Sequence, residues 1–149
     1  MITIKNSAQI AKMREAGAVL HEVLTQLRGK IQPGVTTYEL DQFAEKLIRS
    51  FGAIPSFLNY EGFPASICAS VDNQVVHGIP SKKTVLKEGQ IISVDCGLIL
   101  GGWQSDSAFS VVVGGGNPEA QKLVDATEYC FWLGARQAVA GNHLGDIGN

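Results

Sequence analysis

Cysteine is scarce in this sequence and placed for neither a disulfide framework nor a zinc knuckle. Cys68, Cys96 and Cys130 are odd in number, far apart and in no CxxC pair, so they read as small buried hydrophobes. Basic blocks are also missing. With 12 basic against 14 acidic residues and a net charge of −2, the chain has no electrostatic footprint for nucleic acid or an anionic membrane surface. No apolar run approaches membrane-spanning length, and the start MITIKNSAQ has neither the basic n-region nor the apolar h-region of a signal peptide. The expected compartment is therefore the cytoplasm. Repeats, low-complexity tracts and linkers are absent as well, which predicts one undivided domain.

What is present suits a packed core: 149 residues, 45% of them apolar and 17% charged. After a β-like ITIK, Ser7 is expected to cap a helix in which Ile10, Met13, Gly17, Leu20, Leu24 and Leu27 share one face, with Gly29 near its end. Pro33-Gly34 interrupts the chain. Thr36-x-x-Glu39 then has the form of a capping box for a second helix, with Leu40, Phe43, Ala44, Leu47 and Phe51 inward and Gly52 beyond it. From Ala53 the texture changes to short β-prone runs broken by Gly and Pro: SFLNYEGFP, ASICASV, NQVVHGIP, QIISVDCGLIL and GWQSDSAFSVVV. Asn117-Pro118 restores a helix, expected to run to about Ala140 before Gly141. Trp132 lies within the polar stripe of that helix, either as a lone exposed apolar residue or as one covered from outside the chain. Near the end, Asp146 reads as the N-cap of another element with only three residues after it.

The segment VDCGLILGGWQSD sets an electrostatic problem. A two-residue turn at Leu100-Gly101 would put Asp95 directly opposite Asp106, whereas a turn at Gly101-Gly102 would make them diagonal neighbours on the same face. Only an odd loop separates them. Opposed like charges repel, and an unpaired carboxylate out of water is disfavoured. A shared proton, a nearby Lys or Arg, or one or two divalent cations would each compensate. The segment VVHGIP places His77 at the end of an apolar run, either as a satisfied strand-end residue or as a donor to a substrate carbonyl or amide. His21 and His143 have no spacing partners and read as structural.

Three segments together resemble the type I methionine aminopeptidases: PSFLNYEGFPASICASV (Pro55 to Val71), VVHGIP (Val75 to Pro80) and VDCGLILGGWQSDSA (Val94 to Ala108). The resemblance implies an α+β fold, the N-terminal half of the pita-bread or creatinase-like architecture: two helices, an antiparallel sheet and a long C-terminal helix. It implies that Asp95 and Asp106 are ligands of two divalent metal ions (Co, Mn, Fe or Zn), that His77 is the catalytic histidine contacting substrate near the scissile bond, and that Phe57, Tyr60, Phe63 and Cys68 line the pocket for methionine. The implied activity is metal-assisted hydrolysis that removes N-terminal methionine from nascent polypeptides.

The sequence departs from the family pattern in three ways. Ser70-Val71 precede Asp72-Asn73 where the family has Asn and then an acidic residue, which puts the local turn in question. Ser110 replaces a common threonine. The family's remaining metal ligands, a histidine and two glutamates, have no counterpart in residues 1–149, so the chain is expected to be the N-terminal part of a catalytic domain, weakly active or inactive by itself. The expected partners are peptides with N-terminal methionine and, through the face bearing Trp132, the missing half or a second copy. A non-catalytic peptide-binding module of the same fold is the alternative, and a relative cleaving before proline is a third reading.

Overall fold

The computed structural model describes residues 3–149, so Ile2 of the expected β-like start lies outside the described residues; Thr3 to Lys5 form no strand. Helix α1 (Ser7–Arg28) is capped by Asn6 rather than Ser7. Asn6 Oδ1 accepts the Gln9 amide at 2.9 Å while Gln9 Oε1 accepts the Asn6 amide at 2.9 Å, a capping box displaced by one residue from the expected cap. Its buried stripe is Ala16, Leu20, Val23 and Leu27; Ile10 and Met13, expected inward, precede the region covered by the sheet and are exposed. Helix α2 (Thr37–Ser50) begins at the predicted Thr36–Glu39 box and buries Leu40, Ala44 and Ile48. Phe51, expected inward, caps its end and is exposed.

The sheet is antiparallel and has β3 (Ile91–Leu100) at its centre. Strand β4 (Trp103–Val112) runs along one edge of β3; β2 (Ile67–Val71) and the short β1 (Ile54–Pro55) pair with successive parts of it on the other. Ile92, Val94, Cys96 and Leu98 point to one face and are fully buried in the core with the inner residues of α1 and α2. By strand alternation the opposite face carries Asp95, Gly97 and Ile99, opposed by Ala108, Asp106 and Gln104. One strand thus supplies both the core and the floor of a cleft.

Two runs expected as strands are not strands. SFLNYEGFP forms a tight loop with a single 3₁₀ turn at Tyr60–Gly62, because Asn59 and Glu61 adopt left-handed φ of 67° and 48° that no strand accommodates. NQVVHGIP forms a strap with no ladder partner for Val75 and Val76, which are exposed. Helix α3 (Pro118–Ala135) starts at the predicted Asn117-Pro118 but ends five residues before Ala140. The chain turns back there, so that the short α4 (Leu144–Gly148) crosses α3 where Gly134 leaves room for the Ile147 carbonyl. Asp146 is the third residue of α4 and bonds the amide of its N-cap, His143, at 2.7 Å, one turn earlier than expected. Trp132 is exposed as expected, donates to Glu128 at 3.4 Å and packs edge-on against Phe131. Among the described residues, no helix is long and apolar enough to cross a membrane.

The hairpin turns at Gly101-Gly102, not Leu100-Gly101. Both glycines have positive φ, 56° and 83°, as a two-residue turn matching the sheet twist demands; leucine at the first central position would be strained. Replacing Gly101 with Asn, which tolerates this turn, should keep unfolding free energy within about 0.5 kcal/mol of the parent. Gly101→Val should cost about 1–2 kcal/mol in urea denaturation; equal stability of the two variants would contradict the assigned turn.

Candidate metal centre and substrate cleft

The turn register decides how the two aspartates meet. Asp106 pairs with Gly97 and Asp95 with Ala108, so the carboxylates are diagonal neighbours on the cleft face rather than directly opposed. This is the second of the two same-face arrangements weighed from sequence. Asp95 is half-buried and Asp106 exposed. Burial is the chief reason that the Asp95 pKa is raised, and the charge of Asp106 adds to it; the His77 charge and the Cys96 amide oppose the shift. No Lys or Arg ion pair involves either aspartate among the described residues.

Gly97 is required by the wall opposite. A Cβ on it would strike Ser56 Oγ and lie 2.9 Å from the Phe57 ring, so only glycine lets this loop rest on the hairpin. The Ser56 amide donates to the Gly97 carbonyl at 3.0 Å and fixes that contact. From there the chain runs through Phe57, Tyr60 and Phe63, then enters β2, where Cys68 pairs with Asp95. Burial, with the two aspartates nearby, pushes the Cys68 thiol up to about 11, so at neutral pH it is a small apolar wall and not a thiolate. Cys96, on the core face, is pushed by burial to about 12.

His77 reaches the same cleft by a different route. Gly78 donates to Ser70 Oγ at 3.0 Å and accepts the Ala69 amide at 2.8 Å, and a Cβ at Gly78 would collide with the Ala69 carbonyl. The strap is therefore pressed onto β2, and His77 just before it is held in a left-handed conformation with φ 58°. Strain of this kind on a residue with a Cβ persists where the surroundings impose it. The upstream turn, questioned from sequence, is firm: Asp72 at φ 52° accepts the Ile91 amide at 3.1 Å and the Gln90 side chain at 2.6 Å. Ser110 hydrogen bonds its ladder partner Ser93 at 2.8 Å.

All seven residues singled out from sequence, Phe57, Tyr60, Phe63, Cys68, His77, Asp95 and Asp106, line one cleft of about 940 Å³. Ser56, Glu61, Ile79, Ile99 and Gln104 also line it and were not singled out. Period-two alternation from Asp95 and Asp106 would have found Ile99 and Gln104; Glu61 has no such signal. The two carboxylates, without a cationic side chain and sharing one face, fit part of a divalent-cation shell. Among the described residues, no group of three or more His, Cys, Asp or Glu is arranged to hold a metal ion.

A raised folded-state pKa means that the folded chain binds the Asp95 proton more tightly than the unfolded chain does. This group's contribution to stability is full below its ordinary value of 3.8 and is lost as pH rises through the raised value. In the metal-free chain, Asp106→Asn should lower the Asp95 titration, followed by side-chain carboxyl NMR, while leaving it above the ordinary value because burial remains. The variant should also be the more stable at neutral pH. An unchanged Asp95 titration would show that the carboxylates do not interact.

Residues 11–149 match the model of metallopeptidase family M24. The chain is 52% identical over 147 residues to a methionine aminopeptidase of Clostridium acetobutylicum, covering 99% of this chain and 59% of that protein. It is 48% identical to one from Clostridium perfringens, covering 100% of this chain and 59% of the relative. The crystal structure of methionine aminopeptidase from Thermotoga maritima superposes with a TM-score of 0.93 at 33% identity, over 99% of this chain and 59% of that one. The chain thus spans about 59% of the length of these relatives. The match over nearly the whole sequence and the shared architecture establish that the chain belongs to metallopeptidase family M24.

Proposed function

We propose that this chain is the N-terminal part of a methionine aminopeptidase catalytic domain, acting in the cytoplasm on peptides with a free N-terminal methionine. The observation that carries the reading is the convergence of Asp95, Asp106 and His77 with the aromatic slot in one cleft. The names and identities of the clostridial relatives support it.

Asp95 and Asp106 would hold divalent cations, and such cations supply Lewis acidity and an activated water for peptide hydrolysis. Each remaining step belongs to the chain's own residues. Phe57, Tyr60 and Phe63, with the neutral Cys68 thiol, offer an apolar slot suited to an unbranched thioether side chain. Burying that side chain places the first peptide bond beside the aspartate face. His77, on the strap that Gly78 anchors to β2, would donate an N–H to the peptide carbonyl or to the oxyanion formed from it. Cations held on that face would also accept the lone pair of a free α-amine, which an N-acetylated peptide cannot offer, and this suits an exopeptidase rather than an endopeptidase.

Two carboxylates are few ligands for two cations. The resemblance to the type I methionine aminopeptidases implies the others, a further histidine and two glutamates from outside residues 1–149, and the proposal includes them. Weak metal affinity and weak or absent turnover follow for the isolated chain.

The test is binding of the peptide Met-Ala-Ser-amide and its N-acetylated counterpart, each with and without Mn²⁺. The free peptide should bind at least about tenfold more tightly in Mn²⁺, the scale of a lost hydrogen bond to a charged group, and the preference should vanish with chelator. Equal affinity for both peptides regardless of metal would favour a non-catalytic binding module instead.

A further inference from the structure

Glu61 lines the cleft, yet the proposed chemistry gives it no task. It sits between Tyr60 and Gly62 at φ 48° and ψ 31°, a left-handed conformation that glycine or asparagine adopts more easily. Asn59 and Gly62 beside it also have positive φ. Backbone hydrogen bonds close the turn: Asn59 N–H to Phe63 O at 2.8 Å, Tyr60 N–H to Phe57 O at 2.9 Å and Phe63 N–H to Tyr60 O at 2.9 Å. The Glu61 carboxylate is therefore presented from a fixed turn. It is exposed and enters no ion pair among the described residues.

The cleft lining includes three carboxylates, Glu61, Asp95 and Asp106, and no Lys or Arg. Cations held by the aspartates would neutralise those two and leave Glu61 charged, on the same loop as the aromatic slot. The methionine side chain is neutral and the α-amine is common to every substrate. What varies in charge between peptides is the stretch after the methionine, and Glu61 is the lining carboxylate left to meet it once the aspartates are neutralised.

The geometry points to Glu61 as a specificity-determining residue that favours methionine peptides with cationic or neutral residues after the N-terminus over acidic ones. The inference rests on the reading of the cleft as a methionine-peptide site. A single exposed charge acting through water at about 4–8 Å should separate successive charge states by about two- to fivefold at low ionic strength. In 1 M salt, where the screening length is about 3 Å, the separation should close.

The experiment titrates the 149-residue chain, loaded with Zn²⁺, with Met-Ala-Lys-amide, Met-Ala-Gln-amide and Met-Ala-Glu-amide, following backbone amide NMR shifts of Phe57 to Cys68. Affinity should fall in the order Lys, Gln, Glu. In Glu61→Gln the three should converge, and likewise in Glu61→Gly, which removes the charge while suiting the left-handed backbone. Similar binding of all three peptides to the parent, or a ranking that survives both substitutions, would overturn the inference. If Met-Ala-Gln-amide shifts no cleft amide, the methionine-peptide reading itself fails and this inference with it; binding without a charge ranking sinks only the role of Glu61.

Discussion

Two like charges held on one face of a β-hairpin are the constraint around which this structure is arranged. The hairpin is fixed by a two-glycine turn and by a core face whose Ile92, Val94, Cys96 and Leu98 cannot be exchanged for the cleft face without exposing them. Because the side-chain period is two, burying that set forces Asp95 and Asp106 to the other side together. The hydrophobic core thus confines the carboxylates, and their mutual repulsion is what a divalent cation would relieve. Burial and the charge of Asp106 raise the Asp95 pKa, so this pairing costs stability at neutral pH.

Everything else that lines the cleft is referred to β3. The Ser56–Phe57 segment rests on Gly97, β2 brings Cys68 to Asp95, and the strap that presents His77 is pressed on β2. A buried carboxylate, Asp41 in α2, accepts the amides of Ser66 at 2.7 Å and Ile67 at 3.2 Å, locking the end of the aromatic loop to the helix layer. Two backbone amides held by one buried side chain steady the entry to β2. The contrast with α3 is sharp: Ala120 is its one buried residue among those described, and Leu123, Tyr129, Phe131 and Trp132 face solvent.

Much of this was legible in sequence where a local rule has one dominant solution. The Thr36–Glu39 box and the Asn117-Pro118 start follow from capping chemistry, and the same-face placement of Asp95 and Asp106 from strand period once the loop is even. The misses come from tertiary demands on the backbone. Val75-Val76-His77 has the composition of a strand, but Gly78 is packed so tightly on Ala69 and Ser70 that the segment becomes a strap. Asn59 is a residue type that takes the left-handed conformation readily, but Glu61 carries no such sign, and the bend of the aromatic loop over the cleft needs both. Asp41 lies in a helix whose start and whose buried Leu40 and Ala44 were legible, yet nothing local distinguishes an aspartate that is buried against backbone amides from an exposed one.

The central claim is that Asp95 and Asp106 form one cation site in this chain. Calorimetric titration of Mn²⁺ into the metal-free protein and into Asp106→Ala tests it most directly. The account predicts weak binding by the parent that is reduced at least about tenfold in the variant, as expected when one of two charged ligands is lost. Identical isotherms for the two proteins would contradict it.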